Sequence, residues 1–363
     1  MSDAGDLQDR EREGDGGSEL SERERRVLDA VVRTYVDTAE PAGSRTVSRK
    51  FELGVSAATV RNTMSDLEDK GYLFHPHASA GRVPTDRAYR FFVDQMIHPA
   101  VLSELERDAL AREIDPAGSS AVERLVGRAT RALSVLSLEL GVAIAPRLRE
   151  AVLEKLDLIR VSSEKVLMVA TLGGGLARTV YVDLPGDVPQ DTLLTVALVM
   201  NERLAGLSLD EIRRSLPERL RDTRADDRSA DELMNIFMQA GAELLDPKVA
   251  EASEVHLGQA SVLAAQPEFQ AGERLKGLIE LTEQRDLLGS VLASREHPHG
   301  LHITIGGEHG AEALSDFTLV TAEYRAGGLK GVIGVIGPTR MPYEKVIAIV
   351  DYTSSLMSRI LAH

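Results

Sequence analysis

Residues 56–73 read SAATVRNTMSDLEDKGYL, and this stretch decides the fold of the N-terminal part of the chain. Ser56 stands where a hydroxyl can cap a helix start. Gly71 stands where a residue free to take positive φ can end one. Between them Val60, Met64 and Leu67 recur at helical spacing and define an inward face. With Val60 as the buried direction at about 100° per residue, Ala58, Arg61, Asn62 and Ser65 point the other way. That strip joins one small residue to Arg, Asn and Ser. An arginine fork matches O6 and N7 of guanine, and an asparagine amide matches N6 and N7 of adenine, so the strip suits base reading in a major groove. The start of the helix, with Ser56, Thr59 and its free amides, suits a phosphate. The competing reading is a solvated helix face with no ligand, and the elements on either side weigh against it.

Upstream, Ser21 and Glu24 have the spacing of a capping box. Val27, Val31 and Tyr35 then share one helical row, and Leu28, Val32 and Val36 the next. Pro41 and Gly43 are expected to end that helix. Ser44 is expected to cap a short second helix that buries Val47 and Phe51 and closes at Gly54; Ser44 and Arg45 at its start belong to the candidate DNA surface. Downstream, Tyr72–His75 and a stretch near Val83 read as extended, joined by HASAGR (His77 to Arg82). A helix from Thr85 follows, carrying Tyr89, Phe92 and Met96. Helix, helix, turn, helix and a short hairpin is the order of a winged helix-turn-helix. In the hairpin, Ala78, Ala80 and Gly81 are small enough for backbone to approach a phosphate. His77, Ser79 and Arg82 are its candidate DNA contacts, with Arg82 suited to a phosphate or a minor groove. His75-Pro76-His77 has no third ligand at regular spacing and no cysteine beside it, which argues against a metal site.

Charge agrees with a polyanion-facing module. The whole chain carries a net −15, but residues 20–97 hold 12 basic and 11 acidic side chains, and residues 41–90 hold 8 against 5. A locally positive face on an acidic protein gives salt-dependent binding. Seven of the fourteen Phe and Tyr residues fall in 20–97, enough for a small core of its own. Residues 1–19 are acidic, Gly/Asp/Glu/Ser-rich and without periodicity, and read as a disordered tail. At 363 residues with 43% hydrophobic and 27% charged side chains, the chain has the balance of a globular protein of two or three domains. With no cysteine there is no disulfide, zinc ribbon or thiol nucleophile. No apolar run is long enough for a membrane span, and the N-terminus has no apolar signal core, so a soluble cytoplasmic protein is expected.

Beyond residue 97 the fold reads as α+β and multidomain. Residues 98–145 read as a helical linker whose stripe Val122, Leu125, Val126, Ala129, Leu133, Leu136 and Leu140 suits a partner helix. LEKLDLIRVS (Leu153 to Ser162), KVLMVATL (Lys165 to Leu172) and LARTVYVDL (Leu176 to Leu184) read as an antiparallel meander. Helix follows at 189–204 and a charged helical block at 208–250, then a strand-like VHLGQASVLAA and a helix over Leu275–Leu292. LHITIG, DFTLVTAEYR and GVIGVIG read as strands, and 341–361 as a last helix. Strands at 153–184 and 301–337 around a helical block predict one sheet domain with an insertion.

Other motifs carry no chemistry. Gly173-Gly174-Gly175 lacks the Lys-Ser/Thr of a phosphate loop and reads as a hairpin turn. Ser162-x-x-Lys165 has no partner motifs and reads as a strand-to-strand turn. His297, His299 and His302 beside Glu296 read as loop polarity. With no catalytic constellation, neither an enzyme nor a cofactor is expected.

Several uncommon strings recur in the order of one family. They are SERERRVLDAVVRTYVDTAEPAGSRTVS (Ser21 to Ser48), SAATVRNTMSDLEDKGYL (Ser56 to Leu73), PHASAGRVPTDRAYRFFVD (Pro76 to Asp94), QPEF (Gln266 to Phe269) and GVIGPTRMPYEKV (Gly334 to Val346). The chain thereby resembles the heat-inducible transcription repressors called HrcA over nearly its whole length from Leu20. Ala39 stands where the family often has a glycine, and Asp316-Phe317-Thr318 where a Cys-Ser pair is common; neither lies on the presumed DNA surface.

The resemblance implies a winged-helix domain at 20–97, a GAF-like sheet domain in two parts (146–205 and 275–363) and a dimerisation domain inserted between them (206–274). It implies a homodimer on double-stranded DNA, at an inverted-repeat CIRCE operator upstream of chaperonin and related heat-shock genes. It further implies that the GroE chaperonin keeps the repressor active and that heat releases it. The main rival is a winged-helix repressor controlled by a small effector in the GAF-like domain. An enzyme that docks through the winged helix lacks catalytic residues, and a purely structural DNA-bridging protein would have no use for the Arg–Asn strip.

Overall fold

The computed structural model describes residues 20–77, 80–114, 122–146, 150–173, 176–184, 186, 188–220, 255–270, 272–295, 300–326 and 328–362. The tail at 1–19, Ser79, the Gly174-Gly175 turn, most of the charged block after Leu220, and Glu296, His297 and His299 lie outside them. The fold is mixed α and β with antiparallel sheets, and the chain divides into two units, Met1–Ile97 and His98–His363.

The first unit runs α1 (Glu22–Thr38), α2 (Ser44–Lys50), α3 (Ala57–Asp69), β1 (Leu73–Phe74), β2 (Val83–Pro84) and α4 (Asp86–Gln95). The capping box of α1 forms in full: the Glu24 amide donates to Ser21 Oγ, and the Glu24 carboxylate accepts from the Ser21 amide at 2.8 Å. Glu24 also takes the Lys70 ammonium at 2.7 Å, joining the start of α1 to the end of α3. Val27, Leu28, Val31 and Val32 of α1, Val47 of α2, Val60, Met64 and Leu67 of α3, and Tyr89 and Phe92 of α4 are all buried. Burial stabilises each such side chain by about 1.5–3 kcal/mol, so the rotation of α3 about its axis is fixed by several of them at once.

Two expectations are corrected here. α1 stops at Thr38, before Pro41, because Ala39 adopts a left-handed conformation at φ 56° while its N–H still reaches the Tyr35 carbonyl. Ser44 is the first residue inside α2 and not its cap; Gly43 takes that place, with no side-chain hydrogen bond. α3 closes as foreseen. Gly71, at φ 77°, donates to the Glu68 carbonyl, and the Tyr72 amide reaches back to Leu67, the pairing of a Schellman end.

The second unit contains α5 (Glu104–Ile114), α6 (Val122–Ser137), β3 (Leu140–Ile144), β4 (Leu153–Arg160), β5 (Lys165–Leu172), β6 (Leu176–Asp183), α7 (Gln190–Leu204), α8 (Leu209–Leu220) and β7 (Val255–Leu257). These are followed by α9 (Ala260–Ala264), α10 (Gly272–Glu283), α11 (Arg285–Ala293), β8 (Leu301–Ile305), β9 (Phe317–Ala326), β10 (Leu329–Pro338) and α12 (Tyr343–Ile360). Five strands form one antiparallel sheet in the order β7-β3-β10-β9-β8. β9 and β10 are buried almost throughout, which requires cover on both faces. One face packs on α9–α11 through Leu263, Phe269, Leu278 and Leu288, while α6 and α12 pack against β3, β9 and β10.

The strands at 153–184 do not join this sheet. β4, β5 and β6 make a separate three-stranded antiparallel meander, whose apolar face shares a core with α7 and α8 through Leu156, Met168, Val182, Leu193 and Ile212. The single interrupted sheet read from the strand pattern is therefore two sheets, and β3, inside the supposed linker, supplies a strand of the larger one. Residues 98–145 are no linker: α5, α6 and β3 are part of the second unit. The α6 stripe is covered from within the chain, with Val126, Ala129 and Leu133 fully buried, so it offers no surface to a partner helix. The helix read over 275–292 is two helices, α10 and α11, parted at Gln284.

Candidate nucleic-acid interface

The inward face of α3 is Val60, Thr63, Met64 and Leu67, and all four are buried. Ala58, Arg61, Asn62 and Ser65 are exposed on the other side. The polar strip thus sits on a helix whose orientation is set by its own core, the condition under which side-chain placement is reproducible. Ser56 caps the helix: its Oγ accepts from the Thr59 amide at 3.1 Å and lies 2.9 Å from Thr59 Oγ1. Ser56 is exposed and Thr59 half-buried.

Helix α2 exposes Arg45, with Ser44 half-buried. Thr46 and Arg49 are exposed as well, and sequence reading left them out although Arg49 stands one helical turn after Arg45. Lys50 is partly neutralised by Asp37 at 2.6 Å.

The hairpin pairs Leu73 with Pro84 and Phe74 with Val83. Its root is held to the α1–α2 connection: the Ala42 amide donates to the Arg82 carbonyl at 2.8 Å, and the Arg82 amide to the Ala42 carbonyl at 3.0 Å. Gly81 is required there, since a Cβ would come within 2.5 Å of the Ala42 backbone. At the tip His77 is exposed, and its carbonyl accepts from the Ala80 amide at 2.9 Å.

Arg82 is placed otherwise than its sequence reading implied. Its side chain is only 13% exposed, and Nη2 meets Glu68 Oε2 at 2.8 Å. The other oxygen of Glu68 lies 2.8 Å from His75 Nδ1. Glu68 is on α3, so one carboxylate joins the polar-faced helix to both sides of the hairpin. Sequence reading passed over it; the available signal was a carboxylate seven residues after Arg61, ahead of a hairpin flanked by His75 and Arg82.

A second polar cluster lies in the other unit, where QPEF and GPTRM meet. The Arg340 guanidinium pairs with the Glu268 carboxylate, Nη2 to Oε2 at 3.0 Å, with both side chains nearly buried. Gln266 Nε2 donates to Leu138 O at 2.7 Å and to Glu139 Oε2 at 3.0 Å. Burial pushes the Glu139 carboxyl well above its ordinary range, outweighing Gln266 and Arg340. Burial also opposes ionisation of Glu268, but the Arg340 hydrogen bond helps to bring it below the usual carboxylate value. Of the two carboxyls near Arg340, Glu268 is held low by its hydrogen bond to the cation while Glu139 is pushed up by burial. Among the described residues no group of three or more His, Cys, Asp or Glu is arranged to hold a metal, and no helix is long and apolar enough to cross a membrane.

Residues 123–347 match the family model described as the HrcA protein C-terminal domain. The chain is 36% identical over 349 residues to the heat-inducible transcription repressor HrcA of Chlorobium chlorochromatii, covering 95% of this chain and 98% of that one. It is 32% identical over 346 residues to the protein of the same name from Geobacter sulfurreducens, covering 95% and 99%. A crystal structure of a hypothetical protein shares the fold, with a TM-score of 0.60 at 19% identity over 94% of this chain and 98% of that one. With its C-terminal part matched to the family model and relatives at about a third identity along almost its whole length, the chain belongs to the HrcA family, whose curated members carry the name heat-inducible transcription repressor.

Proposed function

We propose that the first unit is a winged helix-turn-helix that binds duplex DNA, and that the chain represses heat-shock genes as a cytoplasmic homodimer on an inverted-repeat operator of the CIRCE type. The observation that carries this reading is the division of α3 into a buried apolar side and an exposed strip of Ala58, Arg61, Asn62 and Ser65. The strip lies in the major groove, with Arg61 and Asn62 on base edges. Ser56 and Thr59 at the helix start, Ser44 and Arg45 on α2, and His77 and Ser79 on the hairpin take the phosphate backbone.

An inverted repeat has two-fold symmetry, and a two-fold dimer puts one recognition helix on each half-site. The apolar surface for that dimer is the face of the β4-β5-β6 sheet opposite α7 and α8. There Ile159, Leu167 and Tyr181 stand in one cross-strand row, with Ile159 50% and Tyr181 65% exposed. Such an apolar row, exposed among the described residues, suits an interaction surface. Family likeness adds the regulation: the GroE chaperonin sustains repression, and heat, by diverting the chaperonin, relieves it.

The test is a parallel titration of a CIRCE duplex and a scrambled duplex of equal length. Arg61→Ala and Asn62→Ala are each expected to lower the ratio of the two affinities by roughly 1–3 kcal/mol. Equal losses on both duplexes would remove the base-reading assignment. A wild-type protein with no preference for the operator would remove the function itself.

A further inference from the structure

Glu68 carries a negative charge on the helix that faces DNA, and no base or phosphate contact calls for it there. Its oxygens are both engaged, one by Arg82 Nη2 and one by His75 Nδ1, each at 2.8 Å. Arg82 is 13% exposed, and its Nε is buried without a hydrogen-bond partner. A guanidinium kept for a phosphate would gain from standing in solvent; this one is folded inward, against the helix. The root of the hairpin is already fixed to the α1–α2 connection by the paired backbone of Ala42 and Arg82. Its start is joined to α3 by the Tyr72 amide on the Leu67 carbonyl; beyond that root, the carboxylate of Glu68 bridges His75, just after β1, and Arg82, just before β2.

We propose that Glu68 and Arg82 are positioning residues: through His75 and Arg82, Glu68 sets the angle of the hairpin against the recognition helix, and Arg82 acts through Glu68 without touching DNA. This rests on the DNA-binding reading above. As a source of stability the pair is minor, because partly exposed ion pairs contribute little. Its effect is geometric. A hairpin without that bridge, anchored at its root by Ala42 and Tyr72, reaches the backbone in more registers, and the strip on α3 then meets the bases in fewer productive arrangements.

The prediction has a sign that simple electrostatics reverses. Removing an acidic charge from a DNA-facing helix should tighten binding to any duplex. If Glu68 positions the hairpin, Glu68→Gln instead weakens the CIRCE duplex while leaving the scrambled duplex equal or tighter. Full-length wild type, Glu68→Gln, Arg82→Met and the double variant are titrated with both duplexes across a salt series, with circular dichroism and thermal midpoint checking that each is folded.

The expected outcome is a loss of about tenfold in the operator-to-scrambled ratio for each single variant. The double variant is no worse than either single, since both break one strut, and the salt slope of Arg82→Met is unchanged. His75→Ala, which leaves the Arg82 pair in place, gives a smaller loss of the same kind. The inference is overturned if Arg82→Met lowers the salt slope by about one and weakens both duplexes alike, the mark of a direct phosphate contact, or if Glu68→Gln leaves the ratio unchanged or raises it. Either result leaves the operator preference of the wild type intact. Loss of that preference in the wild type is the separate outcome that ends the DNA-binding reading.

Discussion

Replacing Glu139 by Gln is expected to stabilise the second unit, and to do so more the higher the pH. Glu139 is 2% exposed, accepts from Gln266 at 3.0 Å, and stands beside a carboxylate that already holds the nearby Arg340. Desolvation favours its protonated form, so its folded-state pKa lies well above that of an unfolded glutamate. Between about pH 4.3, where the unfolded carboxyl ionises, and the raised value in the fold, folding takes up a proton. Stability from this group is therefore complete below the unfolded pKa and falls as pH rises, by about 1.4 kcal/mol or tenfold in the folding constant for each pH unit, until the folded carboxyl ionises too.

Glutamine has nearly the same volume, keeps an acceptor for Gln266 and does not titrate. The stability difference between variant and wild type should thus widen with that slope and then level off. Glu24, Glu106, Glu268 and Glu323 are all held below the ordinary carboxylate value. They contribute with the opposite sign, stability lost as pH falls, at pH values below this window. Urea unfolding of both full-length proteins at pH 5, 6, 7 and 8, followed by circular dichroism, measures the difference directly. Two curves that stay parallel across that range would show that Glu139 is ionised in the fold and that the reasoning is wrong.

Ala39→Gly should raise the stability of the first unit by about 1 kcal/mol, because a left-handed conformation at φ 56° strains a residue with a Cβ and leaves glycine relaxed; a lower urea midpoint for the variant would show that Ala39 is not strained. Arg340→Ala should cost roughly 3–5 kcal/mol by leaving Glu268 buried without its cation, and adding Glu268→Gln should recover part of the loss. If the double variant is no more stable than Arg340→Ala alone, the stranded charge is not the cause.

What could be read from the sequence follows from what a residue pattern encodes. The inward and outward sides of α3 were legible because one helix face is apolar and the other polar, and the structure keeps that division at Val60, Met64 and Leu67 against Arg61, Asn62 and Ser65. The strands themselves were legible for the same reason. Their partners were not: β10 pairs with β3 through Val335 and Gly141, nearly two hundred residues apart, and alternation names a face without naming a neighbour. Helix ends were misread where the usual signal is missing. α1 and α6 both stop beside a left-handed residue that is not glycine, Ala39 at φ 56° and Leu138 at φ 62°. Leu140 continues the helical spacing of Leu133 and Leu136 while already lying in β3.

The same limit explains both the α6 stripe and Arg82. An apolar stripe states that cover is needed; it does not state who supplies it, and for α6 the cover is β3, α5 and α12 of the same chain. A surface able to join two copies must then be apolar after the chain has satisfied itself, a condition that Ile159 and Tyr181 meet and Val126 and Leu133 do not. A basic residue in a hairpin likewise states that an anion is needed. For Arg82 that anion is supplied by Glu68 at 2.8 Å, before any phosphate arrives. A phosphate would have to displace a carboxylate already in place, whereas Arg61 and Asn62 are exposed on a helix held by its core, as the proposed base contacts require. On the proposed function, recognition by this unit divides between side chains that read and side chains that hold the readers in place, and only the first kind is visible as a pattern along one helix.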